Sequence, residues 1–585
     1  MNRKESANQC HFETHDHVSL FYRHWPATSQ NTRGAIVLFH RGHEHGARMA
    51  HLVDELNLPD FDFFAWDARG HGLSPGLRGH SPSFAASVRD VQTFVEHIAV
   101  THNIPITNQY IIAQSVGAVL ISTWVHDYAP SIRGMTLASP AFKVKLYVPF
   151  ARAGLALMYQ LKGLFFVNSY VKAKFLTHDP ERIKSYETDP LISRPIAVNI
   201  LLDLYKAADR VVTDAQAITV PTQLLISGDD WVVHAKPQHQ FFSNLGTQIK
   251  EKWILPGFYH DTLGEKNRSS AVKNLRSFLL RQFNSPATYP DLRQAHHYGV
   301  AAEKTRQLSV PYRQFSLNRW YWTLTRLGIQ LGEKFSTGLK LGRETGFDSG
   351  STLDYVYRNE PQGQNIIGKY IDRLYLNSIG WKGIRQRKRF VEELLLEAIQ
   401  RLNDEGCEVR LMDIAAGHGR YVLDAVAASP VPIHSILLRD YSDINVRDGL
   451  TLINERGLSS SVKFEKADAF DRQQLTEVSP QPSLVSVSGL YELFSDNDLV
   501  SRSLQGVADA LEPGGYLVYT NQPWHPQLEM IARALTSHRE GQAWVMRCRS
   551  QAEMDQLVVA AGFRKITQRI DEWGIFSVSL AVKDL

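Results

Sequence analysis

Short apolar runs recur along this chain, each closed by turn residues and followed by a helical stretch. That alternation constrains the fold more than any other feature. In the first 280 residues the runs are GAIVLFH, FDFFAWD, QYIIAQS, IRGMTLAS, TQLLISGDD and KEKWILPG. Continuous runs of this length read as strands covered on both faces of a parallel sheet. With helical runs between them, such as 83–99, they predict an α/β domain over 1–284. The pattern breaks at SPATYPDLRQAHHYG, which is polar and carries two prolines, so 285–310 reads as a linker. Helical spacing in NRWYWTLTRLGIQLGEKF and RFVEELLLEAIQRLN predicts a helical extension over 311–400. Alternation then returns in VRLMDIAAGHG, HSILLRDYSD, VKFEKADAF, PSLVSVSGLYELF and GGYLVYTNQ, a second α/β sheet over 401–585. At 585 residues the chain is too long for one core.

Composition removes several function classes. Hydrophobic residues at 43% and charged residues at 21% exclude a disordered or fibrous chain. Lys+Arg 64 against Asp+Glu 60 leaves +4, too little for a dedicated nucleic-acid binder. Cys10, Cys407 and Cys548 are too far apart for a disulfide framework or a CxxC metal site, which suits a reducing compartment. MNRKESANQCHFETHD has no apolar signal core, and the most apolar stretch, 148–167, is interrupted by Arg152, Gln160 and Lys162. The expected compartment is the cytoplasm, with room for peripheral contact at the inner face of the membrane.

The strand QYIIA runs straight into Gln114-Ser115-Val116-Gly117 and a helix. This is a G-x-S-x-G nucleophile elbow with Ala113 at the first small position. A serine hydroxyl needs a base, and the base needs an orienting carboxylate, in the chain order Ser, acid, His. GDDWVV and FYHD close two later strands, so the predicted triad is Ser115, Asp230 and His260, with Asp229 as the fallback acid. The oxyanion hole is expected from the backbone N–H groups of Val116 and Gly42. Taken singly, each is also an ordinary turn serine, loop aspartate or surface histidine. Their joint order favours catalysis.

HRGHEHGAR (40–48), WDARGHGLSPGLRG (66–79), the elbow, GDDWVV, LTHDPERIKSYETDPL (176–191) and HDTLGE resemble the monoacylglycerol lipase and lysophospholipase branch of the α/β-hydrolases over residues 10–283. The resemblance implies a helical lid over about 141–210 and a lipid-ester substrate. One departure is His40-Arg41, where the family usually carries His-Gly. From Ala141 to His178 there is no acidic residue, while Lys143, Lys145, Arg152, Lys162, Lys172 and Lys174 punctuate apolar residues. That suits acyl chains and an anionic membrane surface. It equally suits a packed lid helix with solvated lysines. An aminopeptidase relative is the alternative hydrolase.

In the second sheet, Asp413-Ile414-Ala415-Ala416-Gly417-His418-Gly419 closes a strand before a helix, with small residues where a ligand must approach the backbone. Asp440 closes the next strand, placed for ribose hydroxyls, and Asp468 the third, placed for an adenine amino group. A dinucleotide dehydrogenase would need the third glycine of G-x-G-x-x-G. The acid in the first strand, the Leu511–Tyr516 turn and the tail AAGFRKITQRIDEWGIFSVSLAVK instead resemble the class I S-adenosyl-L-methionine-dependent methyltransferases, a Rossmann-like fold. GFDSGSTLDYVYRN (346–359) resembles the N-terminal extension of a bacterial methyltransferase family that also occurs fused behind such a hydrolase. The resemblance implies that Asp413 and Gly417 face the methionine part of the cofactor, that Gly419 floors the loop, and that Asp440 and Asp468 hold the nucleoside. Tyr491, Glu492, Trp524 and His525 lie at the expected acceptor edge.

Other signals carry less. His11, His15 and His17 could serve zinc, but a strand and polar turn is the safer account, and no metal is expected. IRQRKRF (384–390) reads as a solvated helix face. Trp320 and Trp322 suit a membrane interface or core packing. The chain as a whole reads as a bifunctional enzyme, a serine esterase joined to a methyltransferase. The alternative is a hydrolase regulated by a non-catalytic cofactor-sensing domain.

Overall fold

Five of the six apolar runs in the N-terminal half form strands without one exposed or half-exposed residue. Full burial of each Val, Leu, Ile or Phe side chain contributes about 1.5–3 kcal/mol, so these runs form the core of their sheet. The computed structural model describes residues 3–145, 150–169, 171–539 and 542–584. The chain divides into two compact units, Met1–Pro290 and Asp291–Leu585.

The strands of the first unit are β1 (Asn8–Glu13), β2 (Ser19–Trp25), β3 (Gly34–Phe39), β4 (Phe61–Trp66), β5 (Gln109–Gln114), β6 (Gly134–Ala138), β7 (Phe166–Asn168), β8 (Pro195–Ala197), β9 (Thr222–Ser227) and β10 (Lys250–Leu255). Eight form one sheet in the order β1-β2-β4-β3-β5-β6-β9-β10. From β4 to β10 all neighbours are parallel, while β1 and β2 are antiparallel additions. KEKWILPG differs from the expectation of double-sided burial. As the edge strand β10 it leaves Trp253 and Ile254 exposed.

The insertion after β6 carries helices Ala151–Lys162, Pro180–Thr188 and Val198–Thr213 and the small β7–β8 pair. Residues 146–149 and 170 of the expected lid lie outside the described residues, so the 148–167 stretch is described only from Phe150. Helix Ala151–Lys162 buries no residue and presents Leu157 and Leu161 to solvent. Asp179 caps helix Pro180–Thr188 through the amides of Glu181 and Arg182, with Pro180 at its first position. Among the described residues no helix is long and apolar enough to cross a membrane.

The second unit has β11 (Arg410–Asp413), β12 (Ser435–Asp440), β13 (Val462–Lys466), β14 (Leu484–Val487), β15 (Tyr516–Asn521), β16 (Phe563–Ile570) and β17 (Ser577–Lys583). Their order is β13-β12-β11-β14-β15-β17-β16, with only β17 antiparallel to its neighbours. This is a Rossmann-like methyltransferase sheet. The strand order reverses between β11 and β14, where open α/β sheets bind ligands at the strands' carboxyl ends.

Three sequence expectations meet a different local structure here. The 285–310 segment carries a helix, Gly299–Ser309. Helix Leu317–Gly332 buries no residue and Trp320 is exposed, so core packing does not describe it. The IRQRKRF run is not a solvated face. It lies in helix Ile379–Asp404, where Ile384 and Arg387 are buried and Arg387 stacks on Phe576, 4.9 Å from the ring centre.

Candidate active sites

Ser115 sits between β5 and helix Val116–Tyr128 with φ +56° and ψ −117°, a conformation that side chains rarely adopt. Gly117 is required beside it, because a Cβ there would lie 2.4 Å from the His40 carbonyl oxygen. The sharp turn lifts the Ser115 hydroxyl to 2.7 Å from Nε2 of His260. Nδ1 of His260 is 2.8 Å from Oδ2 of Asp230. The other carboxylate oxygen of Asp230 accepts the amides of Val232 (2.7 Å) and Val233 (3.0 Å). Burial would push the Asp230 carboxyl up, but the His260 ring, its hydrogen bond and those two amides hold it below the usual range. All three side chains are buried. Asp229 turns elsewhere and accepts the amide of Gly257.

Gly42 and Val116 line the same cavity as Ser115 and His260. Val116 opens its helix, so its N–H has no partner within the helix. Arg41 lines the cavity as well. Its guanidinium pairs with Glu44 and lies 3.5 Å from Asp261, all three buried. Asp261 also accepts Arg182 Nε from the lid helix and Gln114 Nε2 (3.0 Å). No sequence signal separated Asp261 from the many acids that follow a histidine.

The cavity measures about 510 Å³, and Leu155, Leu176, Ile200, Leu201 and Leu204 supply much of its wall. His43 and His71 face it as neutral rings, because burial pushes both down to about 4. The site therefore gathers a serine hydroxyl, an imidazole and a carboxylate in hydrogen-bonded order at the end of an apolar chamber. Near the N-terminus, ligand atoms of His15, Asp16 and Asp90 come together. Arg69 already pairs with both carboxylates there.

In the second unit, Gly417 and Gly419 take φ +57° and +77°. The nearest atom to a Cβ built on Gly417 would be Gly350 Cα at 3.6 Å, so the loop backbone is open to ordinary contact. Gly419 is the N-cap of helix Arg420–Ala428. Asp440 accepts the Gly417 amide (2.9 Å) at one oxygen, and Ser442 N (2.9 Å) and Asn445 Nδ2 (3.0 Å) at the other. A carboxylate has about four lone-pair positions, so one remains for a ligand hydroxyl. Asp468 is half-buried and accepts the Phe470 amide. An open glycine loop with acids at the next two strand ends fits a nucleoside cofactor.

Asp413 departs from its expected role. Its carboxylate faces inward, taking Ala415 N (3.0 Å), Tyr421 Oη (2.7 Å) and the Ser486 hydroxyl, so it braces the loop rather than facing a methionine. Burial pushes it up to about 6. Infrared difference spectra should show a carboxylic-acid band titrating near pH 6 and absent from Asp413→Asn. A carboxylate band persisting to pH 4 would contradict this. Of the residues expected at an acceptor edge, Glu492 and His525 line a cavity, whereas the Tyr491 hydroxyl is turned to Ser503 (3.0 Å) and the Trp524 ring lies 5.9 Å from the Lys304 ammonium.

A family model described as "Putative methyltransferase" matches residues 275–583, more than half of the chain. The chain belongs to that family. A second model, "Serine aminopeptidase, S33", matches residues 30–267, so this family member carries an α/β-hydrolase domain ahead of its methyltransferase domain. The Escherichia coli (strain K12) protein YnbC is 57% identical over 98% of both chains. Phospholipase YtpA of Bacillus subtilis is 24% identical over 43% of this chain and 98% of its own. Human monoglyceride lipase is 27% identical over 43% of this chain and 82% of its own. The family member's hydrolase domain is thus similar to lipid-ester hydrolases.

Proposed function

We propose that the first unit hydrolyses a carboxylic ester of a lipid, of the monoacylglycerol or lysophospholipid type. The observation that carries this is the Ser115–His260–Asp230 chain of hydrogen bonds at 2.7 and 2.8 Å, opening on an apolar chamber. Ser115 Oγ attacks the acyl carbonyl while His260 Nε2 takes its proton, and Asp230 holds the ring and the charge that forms on it. The Val116 and Gly42 amides receive the oxyanion. His260 returns the proton to the leaving alcohol, and water then releases the acid by the same route. The apolar face of helix Ala151–Lys162, with its basic neighbours, supports peripheral contact with an anionic membrane.

An S33-type fold also serves peptidases, so the test sets p-nitrophenyl esters of rising chain length against amino-acid p-nitroanilides. Ester kcat/KM should climb with chain length, because each buried methylene contributes about 0.8 kcal/mol, or roughly fourfold. Preference for anilides would overturn the lipid reading.

For the second unit we infer methyl transfer from S-adenosyl-L-methionine, supported by the loop and strand-end acids. Gly417 would face the cofactor, Gly419 set the loop, Asp440 take the ribose and Asp468 the adenine. The cofactor would supply an electrophilic methyl group. Replacing Asp440 with Ala should abolish cofactor binding by calorimetry and leave ester hydrolysis unchanged. A change in hydrolysis alone would favour a sensing domain.

A further inference from the structure

The second unit encloses a cavity of about 220 Å³ at the edge where Gly489 follows β14. Its wall is mostly apolar, with Trp381, Ile384, Trp544, Met546 and Phe576 contributing. Polar side chains join that wall, among them Asp348, Tyr375, Arg387, Glu492 and His525. Arg387 and Glu492 are only 3% and 4% exposed, and Arg387 Nη1 lies 3.6 Å from Glu492 Oε1, beyond hydrogen-bond reach. Among the described residues, neither carboxylate oxygen of Glu492 has a hydrogen-bond partner, and Arg387 Nε and Trp544 Nε1 have no acceptor. Buried polar atoms are nearly always paired, so a cluster of unpaired ones around one cavity requires an explanation.

Their chemistry restricts what could satisfy them. Glu492 needs a donor, while Arg387 and Trp544 need an acceptor. A hydroxyl offers both. The Arg387–Glu492 pair is neutral as a whole, and the carboxylate of Asp348 is already held by the Ser537 hydroxyl and the His538 amide, so a charged ligand group would enter without compensation for its lost hydration. An apolar cavity of about 150 Å³ admits benzene, so this one has room for a single ring with a short substituent.

We propose that this cavity binds a small neutral molecule bearing one hydroxyl group on a ring-sized apolar body, the hydroxyl donating to Glu492 and accepting from Arg387 or Trp544. The role of that molecule as methyl acceptor rests on the methyltransferase reading. On that reading the hydroxyl oxygen forms the new O–C bond as the donor's S–C bond breaks. The sulfur leaves as an uncharged thioether, and the hydroxyl proton ends on Glu492.

The test titrates the full-length protein with 4-propylphenol, 4-propylanisole, 4-propylbenzoate and 4-propylbenzylamine. Binding is followed by calorimetry and by tryptophan fluorescence, since Trp381 and Trp544 line the cavity. The phenol should bind at least tenfold more tightly than its methyl ether, and both charged probes more weakly than the phenol. Glu492→Met, which removes the acceptor, should erase the phenol–ether difference, and so should Ile384→Phe, which fills the space. Equal binding of phenol and ether, tightest binding of a charged probe, no saturation, or a difference that survives Glu492→Met would each overturn the proposal. The wild-type probe series decides the matter even if a variant fails to fold. S-adenosylhomocysteine is titrated separately. Phenol binding without it would leave the cavity assignment standing and remove the methyltransferase reading, and the reverse result would do the opposite.

Discussion

Ser115→Ala is expected to lower ester hydrolysis by about 10⁵- to 10⁶-fold, measured as kcat with a p-nitrophenyl ester. The hydroxyl oxygen is the only nucleophile within hydrogen-bond reach of His260 Nε2, at 2.7 Å, among the described residues. Alanine keeps the small size that the elbow demands, so circular dichroism and the thermal transition should be unchanged. Asp230→Asn should cost about 10⁴-fold, because an amide can hold the ring in the wrong tautomer. Asp229→Asn should be nearly silent, since that exposed carboxylate accepts the Gly257 amide rather than holding the His260 ring. Residual activity above one part in a hundred in Ser115→Ala would remove Ser115 from the mechanism.

The second large effect is expected from Asp261→Ala, which should destabilise the first unit by about 3–5 kcal/mol in a urea titration followed by hydrolysis. Asp261 is 1% exposed and joins Arg41, Arg182 and Gln114, while Gln114 Nε2 also donates to the His260 carbonyl (3.2 Å). Removing it leaves the half-buried Arg182 without its carboxylate, takes one of two acids from the buried Arg41, and loosens both the His260 loop and the lid helix. The pH dependence has a definite sign. Burial would raise this carboxyl, but Arg182 and Arg41 hold it well below its usual range. A depressed acid contributes fully above its unfolded value of about 3.9, and the contribution fades as pH falls below that. The gap between wild type and variant should therefore stay constant from pH 8 to 5 and narrow below pH 4. A difference under 1 kcal/mol at pH 7 would show that the buried ion pairs do not hold this site together.

The clearest errors of the sequence reading concern direction, not element type. Arg387 stands in a run of basic residues that reads as solvated, yet its position on helix Ile379–Asp404 points it inward beneath Phe576. Asp413 closes its strand as expected, but its carboxylate turns into the fold because Tyr421 and Ser486 are there to receive it. For Trp320 the sequence left a membrane interface and core packing both open, and its exposure removes the second.

By itself the sequence determined two α/β sheets, because apolar runs of strand length can be buried only between layers of helix. It also determined a serine at an elbow, because an apolar strand runs straight into Gln114-Ser115-Val116-Gly117 and a helix, with small residues at Ala113 and Gly117. Tertiary structure alone decided which polar groups meet. Asp261 with Arg41 and Arg182, and Glu492 with Arg387, are pairs made by strands and helices distant in the chain. Local pattern carries burial and periodicity, whereas such pairings depend on the crossing of whole elements, which no local run of residues encodes.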